Sequence, residues 1–308
     1  MNDKHIPVLL HEAIENLAIK EDGIYVDLTL GRGGHSEEIL KRIPRGTLIG
    51  IDQDETAIKE SEERLRKVSN NFTLIHDNFV NILTILKDLG IDKVDGILAD
   101  LGVSSPQFDD PDRGFSYRYD SELDMRMDLS QSLTAKEIVN NYSLEQLNRI
   151  FRDYGEEKYS YSIAKNIVKA REAAPINTTF ELVEIIKKSK PQKELKKVGH
   201  PAKQVFQALR IATNDELGVL EKVLQIAPQL LKKEGRLVII TFHSLEDRLV
   251  KQAFKELSVV EGNRYDLPIK NVEKDFYLPN RGAILPKEEE IANNHRSVSA
   301  KLRVLAKK

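Results

Sequence analysis

A glycine-rich segment near the start of the chain combines residue types that bind nucleotide-like cofactors. It reads Asp27-Leu-Thr-Leu-Gly31-Arg-Gly33-Gly34-His35. Glycine lets the backbone approach a ligand closely, and the N-terminus of a following helix offers free N–H groups. A tight strand–helix turn without a ligand explains the same glycines, so the glycines alone leave both interpretations open.

An acidic residue at the end of the next apolar segment favours a bound nucleoside. Asp52 follows Gly31 by 21 residues and closes the run Thr47–Asp52 (TLIGID). A carboxylate there can accept both ribose hydroxyls of NAD or of S-adenosylmethionine. The third glycine of the dinucleotide fingerprint is replaced by Ser36, and Asp27 suits a cationic amino acid end better than a pyrophosphate. We therefore expect S-adenosylmethionine, although Asp27 bonding its own loop remains an alternative.

Two further residues follow apolar segments in the same way. Phe79 comes shortly after Phe72–His76, where its ring could pack on an adenine or belong to the core beneath the next helix. Asp100 closes Val94–Asp100 (VDGILAD), the place where a transferred methyl group and its acceptor would meet. Capping of the adjoining loop is the alternative for Asp100.

The elements that must position these residues alternate over the first hundred positions. Short apolar segments alternate with segments of helical periodicity, which predicts βαβ units and a parallel sheet. The expected strands are Ile24–Leu30, Thr47–Asp52, Phe72–His76 and Val94–Asp100, and the expected helices are Ser36–Arg42, Glu55–Val68 and Val80–Leu89.

The alternation stops after Gly102, and no strand is expected before about Arg210. Helix starts are predicted instead by two capping-box patterns, Thr134 with Glu137 and Ser143 with Gln146. The α/β pattern then resumes with a helix, a strand, a helix capped by Ser244 and Asp247, and a last strand. The resumed segments are Leu217–Leu231, Leu237–Phe242 and Val298–Leu305. We expect one α/β domain (1–105 and 211–308) interrupted by an all-helical insertion (106–210).

The charge of the chain is nearly balanced overall but not along its length. Of 308 residues, 47 are Lys or Arg and 49 are Asp or Glu, a formal net charge of −2. The segment Asn141–Arg210 nevertheless holds 14 basic and 8 acidic residues. Such a segment favours contact with nucleic-acid phosphates, and a solvated helical face is the alternative.

Composition excludes several kinds of chemistry. The chain has no cysteine, which rules out disulfides, thiol catalysis and cysteine-ligated metals. Its seven histidines show no HxxxH or HExxH spacing, so no metal site is expected. No apolar stretch approaches the roughly 20 residues of a membrane helix and no signal peptide is evident, so we expect a cytoplasmic protein with no membrane partner.

Several long motifs occur together in this chain. They are DLTLGRGGHS (Asp27–Ser36), DGILADLGVSSPQ (Asp95–Gln107), RGFSYRYDSELDMRMD (Arg113–Asp128), HPAKQVFQALRI (His200–Ile211), FHSLEDRLVK (Phe242–Lys251) and SAKLRVL (Ser299–Leu305). In these motifs, and over nearly its whole length, the chain resembles the MraW-type 16S ribosomal RNA cytosine-N4 methyltransferases. The resemblance implies a Rossmann-like methyltransferase fold with a helical insertion, acting with S-adenosylmethionine on a cytosine of the small-subunit decoding region.

The resemblance also implies which residues bind the cofactor. Matching the motifs residue by residue gives Gly33, Gly34, His35, Asp52, Phe79, Asp100 and Gln107. Gln107 is the only one of these that the residues by themselves do not single out. Asp100 and the carbonyls of residues 102–105 are candidates to accept hydrogen bonds from the cytosine amine. The acidic or polar residue, two prolines and an aromatic of many amino-methyltransferases do not occur here, where the chain reads Ser104-Ser105-Pro106-Gln107.

RNA contacts are expected in the insertion, with 16S rRNA or the 30S subunit as the partner. The candidates are Arg113, Phe115, Tyr117 and Arg118 in a loop and Lys193, Lys196, Lys197 and Lys203 in the basic segment. The loop residues could instead pack the insertion. Two other functions stay open from the residues, an NAD-dependent oxidoreductase and a non-catalytic ribosome-assembly factor, and both monomer and homodimer are possible.

Overall fold

The computed structural model describes residues 7–102, 108, 110–259 and 273–308. The chain divides into two compact units. The first unit comprises residues up to Gly102 together with Leu217–Lys308, and the second comprises Val103–Glu216. The sequence placed these boundaries at 105/106 and 210/211. None of the helices among the described residues combines the length and the apolar composition needed to cross a bilayer.

The first unit is built on a seven-stranded sheet with the order β3-β2-β1-β4-β5-β7-β6. Its strands are β1 (Ile24–Asp27), β2 (Thr47–Asp52), β3 (Phe72–His76), β4 (Val94–Asp100), β5 (Leu231–Thr241), β6 (Phe276–Tyr277) and β7 (Lys301–Lys307). The first five strands run parallel, and β7 is antiparallel to both β5 and β6. The expected Rossmann-like α/β fold is therefore confirmed.

Helices follow the strands of the first unit and fill the second. Their bounds are α1 (Leu10–Asn16), α2 (Gly34–Leu40), α3 (Glu55–Leu65), α4 (Ile82–Asp88), α5 (Ala135–Asn141), α6 (Leu144–Asp153), α7 (Ser160–Arg171), α8 (Thr179–Lys188), α9 (Gln192–Leu195), α10 (Lys203–Asn214), α11 (Glu216–Ile226), α12 (Ser244–Ser258) and α13 (Glu288–Asn293).

The sheet has an apolar core on each face because successive strand residues point to opposite sides. Val26 and Ile49 belong to one core, whereas Tyr25 and Leu48 belong to the other. Covering both faces is the condition under which parallel strands are stable, and it explains the unbroken apolar runs of β2 and β4.

The two central strands β4 and β5 are joined by side chains as well as by the ladder. Asp95 in β4 accepts hydrogen bonds from Lys232 Nζ at 2.6 Å and from the Ile24 backbone N–H at 2.9 Å. Lys232 lies 137 residues after Asp95 in the sequence. The insertion thus separates two strands that are direct neighbours in the sheet.

The second unit has a core of its own, formed by apolar residues from its helices. Leu147, Phe151, Ile163, Leu182 and Leu209 are among its fully buried members. Within the described part of this unit, β structure is limited to one isolated bridge between Glu122 and Thr178. Apart from that bridge, the regular secondary structure of the described part of the insertion is helical, as the sequence predicts.

Several helix starts differ from the expected positions. Helix α2 begins at Gly34 rather than Ser36, because Gly33 takes the N-cap with a left-handed φ of 70°. Helix α12 is capped by His243 in a capping box with Glu246, so the predicted cap at Ser244 was wrong. Asp247 does not cap the helix but forms ion pairs with Arg303 and Lys301 of β7, which explains why an acidic residue stands at this position. The capping box of Ser143 and Gln146 is confirmed.

Candidate active site

Three acidic residues lie at the carboxyl edge of the sheet, where such folds bind ligands. Asp27, Asp52 and Asp100 end β1, β2 and β4, which are adjacent in the strand order. Parallel pairing brings all three strand ends to one side. The topology therefore assembles residues that the sequence separates by dozens of positions.

The turn between β1 and α2 requires glycine for its backbone shape. Gly31 and Gly33 have φ values of 50° and 70°, which residues with a side chain rarely adopt. A Cβ at Gly33 would lie 3.3 Å from the Cβ of Ser61 in α3. Among the described residues, a Cβ at Gly31 would meet only the Thr29 carbonyl, at 3.8 Å, so this part of the structure leaves the space beside Gly31 open to a ligand.

Asp27 is buried beneath this turn and is bonded to it. Its Oδ2 accepts a hydrogen bond from Ser36 Oγ at 2.7 Å, and its Oδ1 accepts one from the Thr29 N–H at 3.1 Å. Burial raises the pKa of Asp27 to about 6, and these hydrogen bonds oppose the shift. Asp27 thus holds the turn in shape and also places a titratable charge beneath it.

Asp52 supports the turn from the neighbouring strand. Its Oδ2 accepts from the Gly31 N–H at 2.8 Å, and its Oδ1 accepts from the Asp54 N–H at 2.9 Å. Burial raises the pKa of Asp52 to about 6, against the effect of these two bonds. Each carboxylate oxygen keeps a second lone pair, so the group can still accept two ribose hydroxyls.

Asp100 faces His35 across the site. Its Oδ2 lies 3.8 Å from His35 Nδ1, and His35 Nε2 lies 3.1 Å from the Val8 carbonyl oxygen. Although 25% of the Asp100 side chain is accessible, its Oδ1 is buried and has no hydrogen-bond partner among the described residues. Burial, then the charges of Asp27 and Glu246, raises the pKa of Asp100 well above its ordinary value.

The remaining predicted cofactor residues are placed less directly. Phe79 is half-buried and packs against the core that contains Val26 and Ile49, which leaves part of its ring accessible. The turn that carries Phe79 is capped by Asn78, whose Oδ1 accepts from the Val80 N–H. Gln107 lies outside the described residues, as do residues 103–106 of the same loop.

Sequence reasoning missed two hydroxyl residues that shape this site. The hydroxyl of Thr29 accepts from the Asp100 backbone N–H at 2.6 Å, and the hydroxyl of Ser61 donates to the Gly31 carbonyl at 2.6 Å. Both contacts join residues that are distant in sequence. No local spacing signal could have revealed them.

In the second unit, the loop candidates for RNA contact have different environments. Phe115 is 4% exposed in the core of the unit, so it is a packing residue rather than an open stacking surface. Arg113 donates from Nη2 to the carbonyls of Arg126 and Met127, which ties its own loop together. Tyr117 is half-buried and Arg118 is exposed. The four candidate lysines, Lys193, Lys196, Lys197 and Lys203, are all exposed.

The strand order and the acids around a glycine turn fit a cofactor with a ribose and a cationic end. Asp52 has lone pairs for the hydroxyls, the buried oxygen of Asp100 lacks a partner among the described residues, and Gly31 leaves room. Together with the antiparallel β7, these features define an S-adenosylmethionine-dependent methyltransferase of Rossmann-like fold. The family model described as the MraW methylase family matches residues 2–308, and the chain belongs to that family.

Similar proteins match the chain over nearly its whole length. A protein of Mesoplasma florum named ribosomal RNA small subunit methyltransferase H is 57% identical, with 99% of this chain and 100% of that protein covered. The protein of the same name from Spiroplasma kunkelii is 55% identical, with 99% of each covered. A solved rRNA methylase from Streptococcus thermophilus is 13% identical, with a TM-score of 0.42 and 98% of each chain covered.

Proposed function

We propose that the protein transfers a methyl group from S-adenosylmethionine to the exocyclic N4 amine of a cytosine in the decoding region of 16S rRNA. The names and 55–57% identity of the two relatives support ribosomal RNA as the substrate. The chemical step is supported by one observation at the end of β4. There the Oδ1 atom of Asp100 is buried and has no hydrogen-bond partner among the described residues.

Cofactor binding would use the turn and the acids around it. The cofactor supplies an electrophilic methyl group on a sulfonium sulfur. Asp52 would accept the ribose hydroxyls, Gly33, Gly34 and His35 would line the turn, and Phe79 and Gln107 join the set through the family resemblance. Asp27 would add negative charge beneath the cationic end of the ligand.

The exocyclic amine of cytosine is a weak nucleophile because its lone pair is delocalised into the ring. A hydrogen bond from the amine to Asp100 would hold the nitrogen in line and localise that lone pair. The amine would become positively charged as its bond to the methyl carbon forms and the carbon–sulfur bond of the cofactor breaks, with the sulfur leaving as a neutral thioether. The amine would then have to lose a proton. Asp100, with its raised pKa, is a better acceptor for that proton than an ordinary carboxylate.

RNA recognition is assigned to the inserted unit, residues 106–210. Its exposed lysines, Lys193, Lys196, Lys197 and Lys203, can contact backbone phosphates. The target cytosine must be unpaired or turned out of its stack to be methylated. A ribosomal RNA substrate supports a cytoplasmic protein whose partner is either naked 16S rRNA or the 30S subunit.

The direct test uses S-adenosylmethionine labelled in its methyl group. The protein is incubated with 16S rRNA, or with 30S subunits from cells lacking this enzyme, and the RNA is digested to nucleosides. We expect the label in N4-methylcytidine with at least one of the two substrates. Label in another nucleoside, or no transfer to either substrate, would refute the proposal.

A further inference from the structure

Within the second unit, the ring of Tyr117 stacks on the imidazole of His200. The ring centroids are 4.2 Å apart and the planes differ by 7°. The Phe206 ring meets the Tyr117 ring edge-on, with the ring centroids 5.6 Å apart. The stack therefore fixes the orientation of the His200 ring.

Hydrogen bonding also fixes which nitrogen of His200 carries the proton. Nδ1 lies 3.3 Å from the Ala202 backbone N, whose N–H can only donate, so Nδ1 accepts. In the neutral ring the proton must then sit on Nε2. Across the described ranges of the chain, Nε2 has no hydrogen-bond partner, so a donor remains available to a ligand.

Basic residues lie near the His200 ring, since the charges of Lys187, Arg118 and Lys190 all act on it. Arg118 directly follows Tyr117 and is exposed, and Lys187 lies on α8 one turn before Lys190. Lys190 donates to the carbonyl of Pro201, the neighbour of His200, at 2.7 Å. Its charge is balanced by Glu157 at 2.6 Å, whereas the partner of Lys187 is the exposed Glu184.

The titration of His200 agrees with this environment. Burial is the largest cause that lowers the pKa of His200, followed by the charges of Lys187, Arg118 and Lys190. The ring is consequently neutral near pH 7 and acts as a donor through Nε2 alone. A neutral donor with two cations near its ring suits an anionic oxygen, because the ring can donate to that oxygen without first taking up a proton.

We propose that His200 Nε2–H, Arg118 and Lys187 form a binding site for one backbone phosphate of the RNA substrate. The proposal rests on the proposed function, since it supposes that RNA is the substrate. Phosphate oxygens accept hydrogen bonds, and their attraction to a pair of cations gives an affinity that falls as the salt concentration rises. Tyr117 acts as a positioning residue that holds the imidazole.

The test compares two variants with a matched control. Arg118→Gln removes one cation, and His200→Phe removes the donor while keeping a ring to stack on Tyr117. Arg149→Gln removes one charge from α6, where the Arg149 side chain is 80% exposed. Binding of a fluorescein-labelled RNA fragment of the decoding region is followed by anisotropy at several salt concentrations.

We expect Arg118→Gln to lower the logarithmic salt slope by about one and His200→Phe to weaken binding roughly tenfold. Arg149→Gln should change either quantity far less. Equal effects of Arg118→Gln and Arg149→Gln would overturn the site, because they would show general electrostatic attraction. Arg118 is exposed, so this comparison holds even if His200→Phe destabilises the unit.

A second measurement separates a binding role from a structural one. The His200 ring signal, assigned by its loss in His200→Phe, is titrated by NMR with and without the RNA fragment. We expect RNA to raise the pKa of His200, and an unchanged pKa would count against the site. Methyl transfer by the wild type with normal RNA binding by both variants would refute only this site. Phosphate-site effects without any methyl transfer would refute only the proposed function.

Discussion

His35 Nδ1 lies 3.8 Å from Asp100 Oδ2, and this pair joins the glycine turn to the end of β4. The Val8 carbonyl beside His35 Nε2 can only accept, so Nε2 carries a proton. The other ring nitrogen, Nδ1, is the one that faces Asp100. The pair therefore links the histidine of the turn to the candidate proton acceptor of the proposed reaction.

Replacing Asp100 by Asn should slow methyl transfer by about 10²-fold or more, because the amide cannot accept the proton of the amine. Thermal stability should not fall, because the change removes a buried carboxyl oxygen with no partner among the described residues. Single-turnover rates at saturating S-adenosylmethionine measure the effect. Calorimetric cofactor affinity is measured alongside, so that a loss of cofactor binding is distinguished from a loss of rate. An unchanged rate would remove Asp100 from the mechanism.

Affinity for S-adenosylmethionine should rise with pH through about 6 and level off above 7. Asp27 and Asp52 have pKa values raised to about 6, and a cationic ligand favours their ionised forms. Below pH 6 each coupled carboxyl lowers affinity by up to about tenfold per pH unit. Titration calorimetry from pH 5 to 8 tests this expectation, and affinity that does not vary over that range would contradict it.

The same two carboxyls should affect the stability of the unliganded protein in the opposite sense. Their folded-state pKa values exceed the unfolded ones, so between about pH 4 and 6 the folded state holds more protons than the unfolded state. The free energy of unfolding should therefore fall as pH rises through that window. Saturating S-adenosylmethionine should reduce this fall.

Gly33→Ala should weaken cofactor binding, whereas Gly90→Ala should not. The two glycines have nearly equal φ values of 70° and 71°, so alanine strains both by roughly 1 kcal/mol. A Cβ at Gly90 meets no atom of the described residues within 4 Å. A Cβ at Gly33 presses on Ser61, which donates a hydrogen bond to the Gly31 carbonyl. Calorimetry and melting temperatures of both variants provide the comparison. Similar affinities for both would show that the turn tolerates this shift.

Lys190→Met should destabilise the second unit by about 3–5 kcal/mol, because it leaves Glu157 buried without its counter-ion. The side chains are 7% and 1% exposed, with 2.6 Å between Nζ and Oε2. Lys187→Met is the control, since its partner Glu184 is exposed and such pairs contribute under about 1 kcal/mol. Urea denaturation followed by circular dichroism measures both. The double change Glu157→Leu with Lys190→Met should recover much of the loss.

The central strands could be read from the sequence because burial on both faces leaves a continuous apolar signal. β2 and β4 have the predicted bounds to the residue. β5 begins at Leu231 rather than Leu237. Its start, which is mostly polar, pairs with the start of β4, and the register between the two strands shifts after Val94. Periodicity carries no signal for such a pairing. The two-residue β6 is also invisible for this reason.

The site was predictable where topology alone brings residues together. Asp52 and Asp100 follow from strand ends, whatever the detailed packing. Thr29 and Ser61 do not, since each acts through a single contact, 71 and 30 residues away respectively. The N-cap of α12 was predicted at Ser244 from the local sequence. The N-cap is instead His243, whose side chain accepts a hydrogen bond from the Glu246 N–H.

The insertion between β4 and β5 determines the order in which the parts of the protein are synthesised and can fold. A ribosome that has just made Asp95 must add 137 more residues before Lys232, its partner, exists. At about 5–20 residues per second this takes on the order of ten seconds, during which the β4 edge has no neighbour to pair with. The second unit, with its separate core, is complete within that interval. A methyltransferase of this design therefore finishes its helical unit before the sheet of its first unit can close.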